Sequence, residues 1–192
     1  MFKRRSYKWS DGKQLQLEDS TLIMGILNGR PDSFSDGGRY NTTKAAVAHA
    51  KEMIAQGADV IDVGVESTRP GHTQISVDEE IERMKAILEP VLAVSTVPVS
   101  IDTYRAKSAE YALSKGAHIL NDIWGLRYDR DMAAVAAQYN VPVIIMHNQN
   151  DTNYGDIIED MKAFFFASVD IALKEGIKPQ NIWLDPGIGF GK

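Results

Sequence analysis

Gly57-Ala58-Asp59-Val60-Ile61-Asp62 holds the pattern from which the rest of the chain can be read. Upstream, residues 43–56 repeat with a helical period that puts Ala46, Val47, Ala50, Met53 and Ile54 on one face. The period stops at Gly57, a residue suited to the left-handed position that follows a helix. A short β-branched run begins almost at once and ends on Asp62. The same device returns as Gly116-Ala117-His118-Ile119-Leu120-Asn121. A helix that ends on glycine and feeds a strand after one or two residues is the short αβ connection of a βαβ unit.

Outward from these two copies, apolar runs at 22–27, 60–63, 97–101, 118–120, 141–146 and 182–184 alternate with helical patterns at 43–56, 77–91, 105–115, 132–139 and 157–174. The runs are near-continuously apolar, as parallel strands covered on both faces require. The spacing therefore predicts an α/β chain of six strands and five helices. A hairpin around Asp11-Gly12, within residues 1–20, precedes the first of them. Its expected role is to plug the bottom of a barrel. The strands finish on Asn28, Asp62, Asp102, Asn121, His147 and Asp185. Polar groups gathered where parallel strands end are what a (β/α)8 barrel uses. A flavodoxin-like open sheet fits the length equally well, and the polar ends favour the barrel.

Composition bounds the function. Of 192 residues, 44% are hydrophobic and 24% charged, which suits one globular domain spanning 1–192, and the net charge of −5 disfavours nucleic acid as a partner. There is no cysteine, so thiolate chemistry and thiolate metal sites are excluded. Residues 6–19 are too polar for the core of a signal peptide, and no run approaches the roughly 20 apolar residues of a membrane span. The expectation is a cytoplasmic protein that engages no membrane.

Three loops carry chemistry-bearing residues. Residues 25–38 form a long polar, glycine-rich connection after the first strand, with Phe34 in its middle. Residues 62–71 place Ser67, Thr68 and Arg69 at the end of the second strand, donors suited to an anion. Residues 185–192 tempt a P-loop reading, but Pro186 stands where its first glycine is required. Of the histidines, His49, His72, His118 and His147, no pair has metal-ligand spacing, and only His147 falls at a strand end.

In order and spacing, residues 23–38 and 66–71, Ser100-Ile101-Asp102-Thr103, Leu120-Asn121-Asp122-Ile123, Met146-His147 and residues 185–192 resemble the dihydropteroate synthase family, a pterin-binding (β/α)8 barrel family targeted by sulfonamides. The resemblance implies a reaction. Pyrophosphate leaves a 6-hydroxymethyl-7,8-dihydropterin pyrophosphate, and the amine of p-aminobenzoate attacks the exposed methylene. It also implies roles: Asp102, Asn121 and Asp185 on the pterin edge, Ile123, Met146 and Phe190 on its faces, and Gly189 in the loop beside them. Asn28 would offer an oxygen to Mg²⁺. Thr68 and Arg69 would meet the pyrophosphate and p-aminobenzoate. Phe34, Ser35 and Asp36 would close as a lid, and Phe34 and Pro70 would shape the p-aminobenzoate pocket.

Two departures follow. The family's first loop reads Asn-Val-Thr-Pro, whereas this chain has Asn28-Gly29-Arg30-Pro31, and the glycine is expected to loosen the backbone there. An eight-stranded barrel also implies two further βα units. They would carry the family's pterin-binding lysine with its serine, its phosphate-clasping arginine and histidine, and its homodimer helices. Residues 1–192 alone are therefore expected to be unstable and to have little or no synthase activity. A non-catalytic pterin-binding fragment and a pterin-dependent methyltransferase on the same scaffold are the alternatives, the second disfavoured by the 32–38 and 67–71 segments.

Overall fold

A computed structural model describes residues 4–18, 20–29, 38–66 and 74–192, with backbone alone for 38–41. Six strands are hydrogen-bonded in chain order: β3 (Met24–Asn28), β4 (Val60–Gly64), β5 (Val99–Asp102), β6 (Ile119–Asp122), β7 (Val143–Met146) and β8 (Ile182–Asp185). The order decides the architecture. A doubly wound sheet reverses direction at a switch point, whereas consecutive neighbours without reversal are the winding of a (β/α)8 barrel. Six strands and five helices of that winding are present, preceded by the hairpin.

The chain clusters into two compact units. The first comprises Met1–Ile101 and Ser114–His118. Its hairpin pairs β1 (Arg5–Lys8) with β2 (Gln14–Leu17), Arg5 facing Leu17 and Lys8 facing Gln14. Tyr7 and Leu15 are buried, and the Trp9 ring meets the His118 ring edge-on at 5.1 Å. His118 immediately precedes β6 in the chain. All five residues of β4 are buried, which is why its run does not alternate. Two long helices cover this unit, α1 (Gly38–Ala55) and α2 (Val77–Val94). Ser76 caps α2 by accepting the Glu79 N–H, and the first turn carries Asp78, Glu79 and Glu80 toward the positive end of the helix dipole. Thr43 Oγ1 donates to the Ala86 carbonyl at 2.7 Å and ties α1 to α2.

The second unit comprises Asp102–Leu113 and Ile119–Lys192. It contains most of α3 (Ala106–Ser114), then α4 (Met132–Tyr139) and α5 (Ile157–Lys174) with strands β6 to β8. The strands are parallel, with Asn121 level with Ile144 and Met146 level with Asp185. Val143, Ile145, Ile119 and Leu120 of its strands and Ala133, Ala136 and Ala172 of its helices are buried.

Boundaries moved where backbone chemistry overrode side-chain pattern. The runs beginning at 97 and 141 start as strands only at Val99 and Val143, after Pro98 and Pro142, which have no N–H to donate. Helix α1 begins at Gly38 rather than 43, because residues 38–42 carry no apolar period to announce it.

Candidate active site

In the second unit three strand ends carry the polar residues singled out by sequence. Asp102 closes β5, Asn121 is the penultimate residue of β6 and Asp185 closes β8. Main-chain bonds level these ends: Thr103 N–H donates to the Asn121 carbonyl at 3.1 Å, and His147 N–H to the Asp185 carbonyl at 2.9 Å. Oδ1 of Asp102 and Oδ1 of Asn121 are buried acceptor atoms, and both residues are engaged through other atoms. Asp185 divides its carboxylate. Its Oδ1 accepts the Gly187 N–H at 2.7 Å, shaping the loop behind it, and that turn leaves Oδ2 unused.

Two residues beyond Asp102 and Asn121 stand Tyr104 and Ile123, and these two meet. Tyr104, Ile123 and Met146 form a buried cluster against which Trp124 and Phe190 pack. Ile123, Met146 and Phe190, three of its five members, are the residues expected on the ring faces. Tyr104 and Trp124 were not anticipated, because an aromatic in a loop leaves no periodic trace. The Tyr104 ring also meets Tyr128 at 4.6 Å and lies under the Arg105 guanidinium at 4.7 Å.

The loop carrying Gly189 and Phe190 is held from within. Lys192 Nζ donates to the carbonyls of His147 (3.2 Å), Gly187 (3.0 Å) and Phe190 (2.9 Å). Burial lowers the Lys192 pKa, with the Asp185 charge working the other way. Gly187 has φ +66°, and a Cβ there would lie 2.3 Å from the His147 carbonyl oxygen, so only glycine fits. His147 itself is 2% exposed, and its ring lies edge-on to Phe164 at 4.8 Å. Burial, then the charges of Lys192 and Arg127, lower its pKa, so it is a neutral packing group at neutral pH.

Asp122, beside Asn121, is fully buried. Its Oδ1 accepts the Trp124 N–H at 2.8 Å and its Oδ2 the Leu126 N–H at 2.7 Å. Burial pushes its pKa up to about 6 even though these N–H groups favour the charge.

In the first unit Asn28 ends β3 with its side chain exposed, level with Gly64. Gly29 is buried and firmly held: its N–H donates to the Gly64 carbonyl at 2.7 Å, and a Cβ would stand 3.0 Å from Ile87 Cγ1. That bond holds the main chain at Gly29 itself, and Ile87 fills the space a side chain would take.

The sequence profile of the pterin binding enzymes matches residues 24–192, which takes in every strand end described above. The chain belongs to that family. It is 53% identical over 180 residues to the dihydropteroate synthase of Clostridium beijerinckii, a match spanning 94% of this chain and 67% of that one. Among solved structures, dihydropteroate synthase from Clostridium difficile in the presence of pteroic acid superimposes with a TM-score of 0.87 at 51% identity, covering 91% of this chain and 66% of that one. Xanthomonas albilineans dihydropteroate synthase with 4-aminobenzoic acid gives 0.88 at 39%, covering 95% and 66%. The chain thus spans about two thirds of the length of these relatives.

Of the residues expected at the site, Asp102, Asn121, Ile123, Met146, Asp185, Gly189 and Phe190 lie in the second unit and Asn28 in the first. Phe34, Ser35, Asp36, Thr68, Arg69 and Pro70, together with Arg30, lie outside the described residues. Among the described residues no three His, Asp or Glu side chains gather into a metal cluster, and no helix is long and apolar enough to cross a membrane.

Proposed function

We propose that the protein is a dihydropteroate synthase, a transferase of folate biosynthesis that joins a 6-hydroxymethyl-7,8-dihydropterin pyrophosphate to p-aminobenzoate with release of pyrophosphate. One observation carries the reading: the acceptor residues Asp102, Asn121 and Asp185 stand beside a single apolar cluster of Tyr104, Ile123, Met146, Trp124 and Phe190. A pterin is a flat ring with several N–H donors along one edge. It needs oxygen acceptors at the edge and apolar contacts on its faces, and these residues supply both.

The chemistry asks little covalent work of the protein. Holding the ring by its edge fixes the exocyclic methylene, and apolar walls exclude water from the cation that forms as pyrophosphate departs. The residues that would hold the second substrate and close the site are Thr68, Arg69, Pro70, Phe34, Ser35 and Asp36. Asn28, exposed at the end of β3, would offer its side-chain oxygen to a Mg²⁺ ion that takes one or two ligands from protein and the rest from pyrophosphate and water. When bound, the ion would neutralise charge on the leaving group.

Calorimetry with 6-hydroxymethylpterin tests the reading. The chain is expected to bind it, and Asp102→Ala and Asn121→Ala to weaken binding by about tenfold or more, as loss of a buried hydrogen bond to a ligand does. An unaltered affinity in both variants would refute it.

A further inference from the structure

Residues 121–126 compress several features into one turn. Asn121 offers an edge oxygen, Ile123 and Trp124 belong to the apolar cluster, and Asp122 between them faces inward with no solvent exposure. Both Asp122 oxygens are committed to the turn that follows, Oδ1 to the Trp124 N–H and Oδ2 to the Leu126 N–H, while its own carbonyl accepts the Gly125 N–H at 3.1 Å. The carboxylate is therefore turned away from any ligand and onto its own backbone.

What it holds would not hold itself. Gly125 and Leu126 both have positive φ, +63° and +66°. The left-handed region disfavours a branched side chain such as leucine, so a tether is needed to keep Leu126 there. From the other side the turn is pressed against α5, where a Cβ on Gly125 would meet the Phe164 ring at 2.7 Å. The Trp124 ring emerges from this clamped turn and tilts against Tyr128 at 6.3 Å.

We infer that Asp122 is a positioning residue for pterin binding, whose carboxylate fixes the turn that presents Ile123 and Trp124 to the ring. This rests on the pterin reading above and adds a residue that touches no substrate. The substitution chemistry is specific. Asparagine can accept one of the two N–H groups, but its amide N–H then confronts the other. Alanine accepts neither. Both leave the β6–β7 ladder intact, since that ladder is made by main-chain groups.

The test is ¹⁹F spectroscopy on the chain labelled with 5-fluorotryptophan. Its three resonances come from Trp9, Trp124 and Trp183, and Trp124→Phe identifies the one that matters. In Asp122→Asn and Asp122→Ala the Trp124 resonance is expected to shift or broaden while those of Trp9 and Trp183 stay in place. Calorimetry should show 6-hydroxymethylpterin bound about tenfold or more weakly in Asp122→Ala, with a smaller loss in Asp122→Asn. An unmoved Trp124 resonance overturns the inference, and so does a moved one with undiminished pterin affinity. If the unsubstituted chain binds no pterin, the pterin reading fails and positioning for it fails too. The Trp124 resonance then still separates a clamped turn from an unclamped one. Collapse of all three resonances in both variants would make Asp122 a requirement of folding and overturn the positioning role.

Discussion

The His118 imidazole hydrogen-bonds Asp11 through Nε2 at 2.9 Å, while its Nδ1 accepts the Val99 N–H at 3.0 Å. The second bond fixes the tautomer: Nδ1 must be bare, so the proton sits on Nε2 and the ring donates to Asp11 while remaining neutral. Burial opposes the Asp11 charge, but hydrogen bonds from Lys13 and His118 outweigh it and hold its carboxyl well below the usual carboxylate range. A hairpin is thereby fastened to the start of β5 by a neutral ring.

Acid should loosen that fastening. Burial lowers the His118 pKa, with Asp11 acting in the opposite sense. A folded-state pKa below the unfolded one means the unfolded chain binds protons first. Stability from this group is then full above about pH 6.5 and declines as pH falls toward the folded value. Denaturant midpoints measured across pH 5 to 8 are expected to drop on the acid side, and His118→Gln to flatten that part of the curve. An unchanged acid slope in the variant would remove His118 as the cause.

Gly29 and Ile87 should behave as one packing unit. A side chain at 29 would stand 3.0 and 3.1 Å from the two γ carbons of Ile87, which is itself buried in α2. Gly29→Ala is expected to cost about 1–3 kcal/mol by overpacking. Ile87→Val in the same chain should recover part of it, giving a coupling of about 0.5 kcal/mol or more in a double-mutant cycle. Strict additivity would show that the two do not compete for space.

Asp185 serves its own loop through Oδ1 and, in the proposed function, the pterin through Oδ2. Asparagine keeps an acceptor for the Gly187 N–H and puts donors where the second oxygen was. Asp185→Asn is therefore expected to melt close to the unsubstituted chain yet bind 6-hydroxymethylpterin about tenfold or more weakly. Asp185→Ala should lose on both counts. Calorimetry paired with thermal melts distinguishes these outcomes.

Gly187→Ala is the sharpest steric test. Its Cβ would meet the His147 carbonyl oxygen at 2.3 Å and Met146 Cγ at 3.1 Å, in a backbone with φ +66°. Strain and overpacking together are expected to cost about 2–4 kcal/mol. Urea denaturation that found a loss below 0.5 kcal/mol, as at a surface position, would mean the loop has another arrangement available.

Much of this molecule could be read in advance because its signals are local. The glycine stops at 57 and 116, the unbroken apolar runs and the polar residues near several strand ends are short-range marks of βαβ units, and they located Asp102, Asn121 and Asp185. Asp122 was opaque for a physical reason. Next to Asn121 it is chemically similar, and only the alternation of side chains along a strand, seen once the register is known, sends one residue inward and leaves its neighbour half-exposed. Tyr104 and Trp124 enter the site from loops, where no period applies. The grip on Gly29 depends on Ile87, far along the chain, and no local pattern announces a contact of that range.

Strands paired in chain order carry a consequence for how such a molecule comes into being. A chain emerging during synthesis can lay each new strand on the edge of the one made just before it, with only a single helix's worth of sequence to close at every step. Asp102, Asn121 and Asp185, on β5, β6 and β8, would reach their stations in that order. An arrangement that had to wait for distant segments would leave its apolar edges bare for far longer.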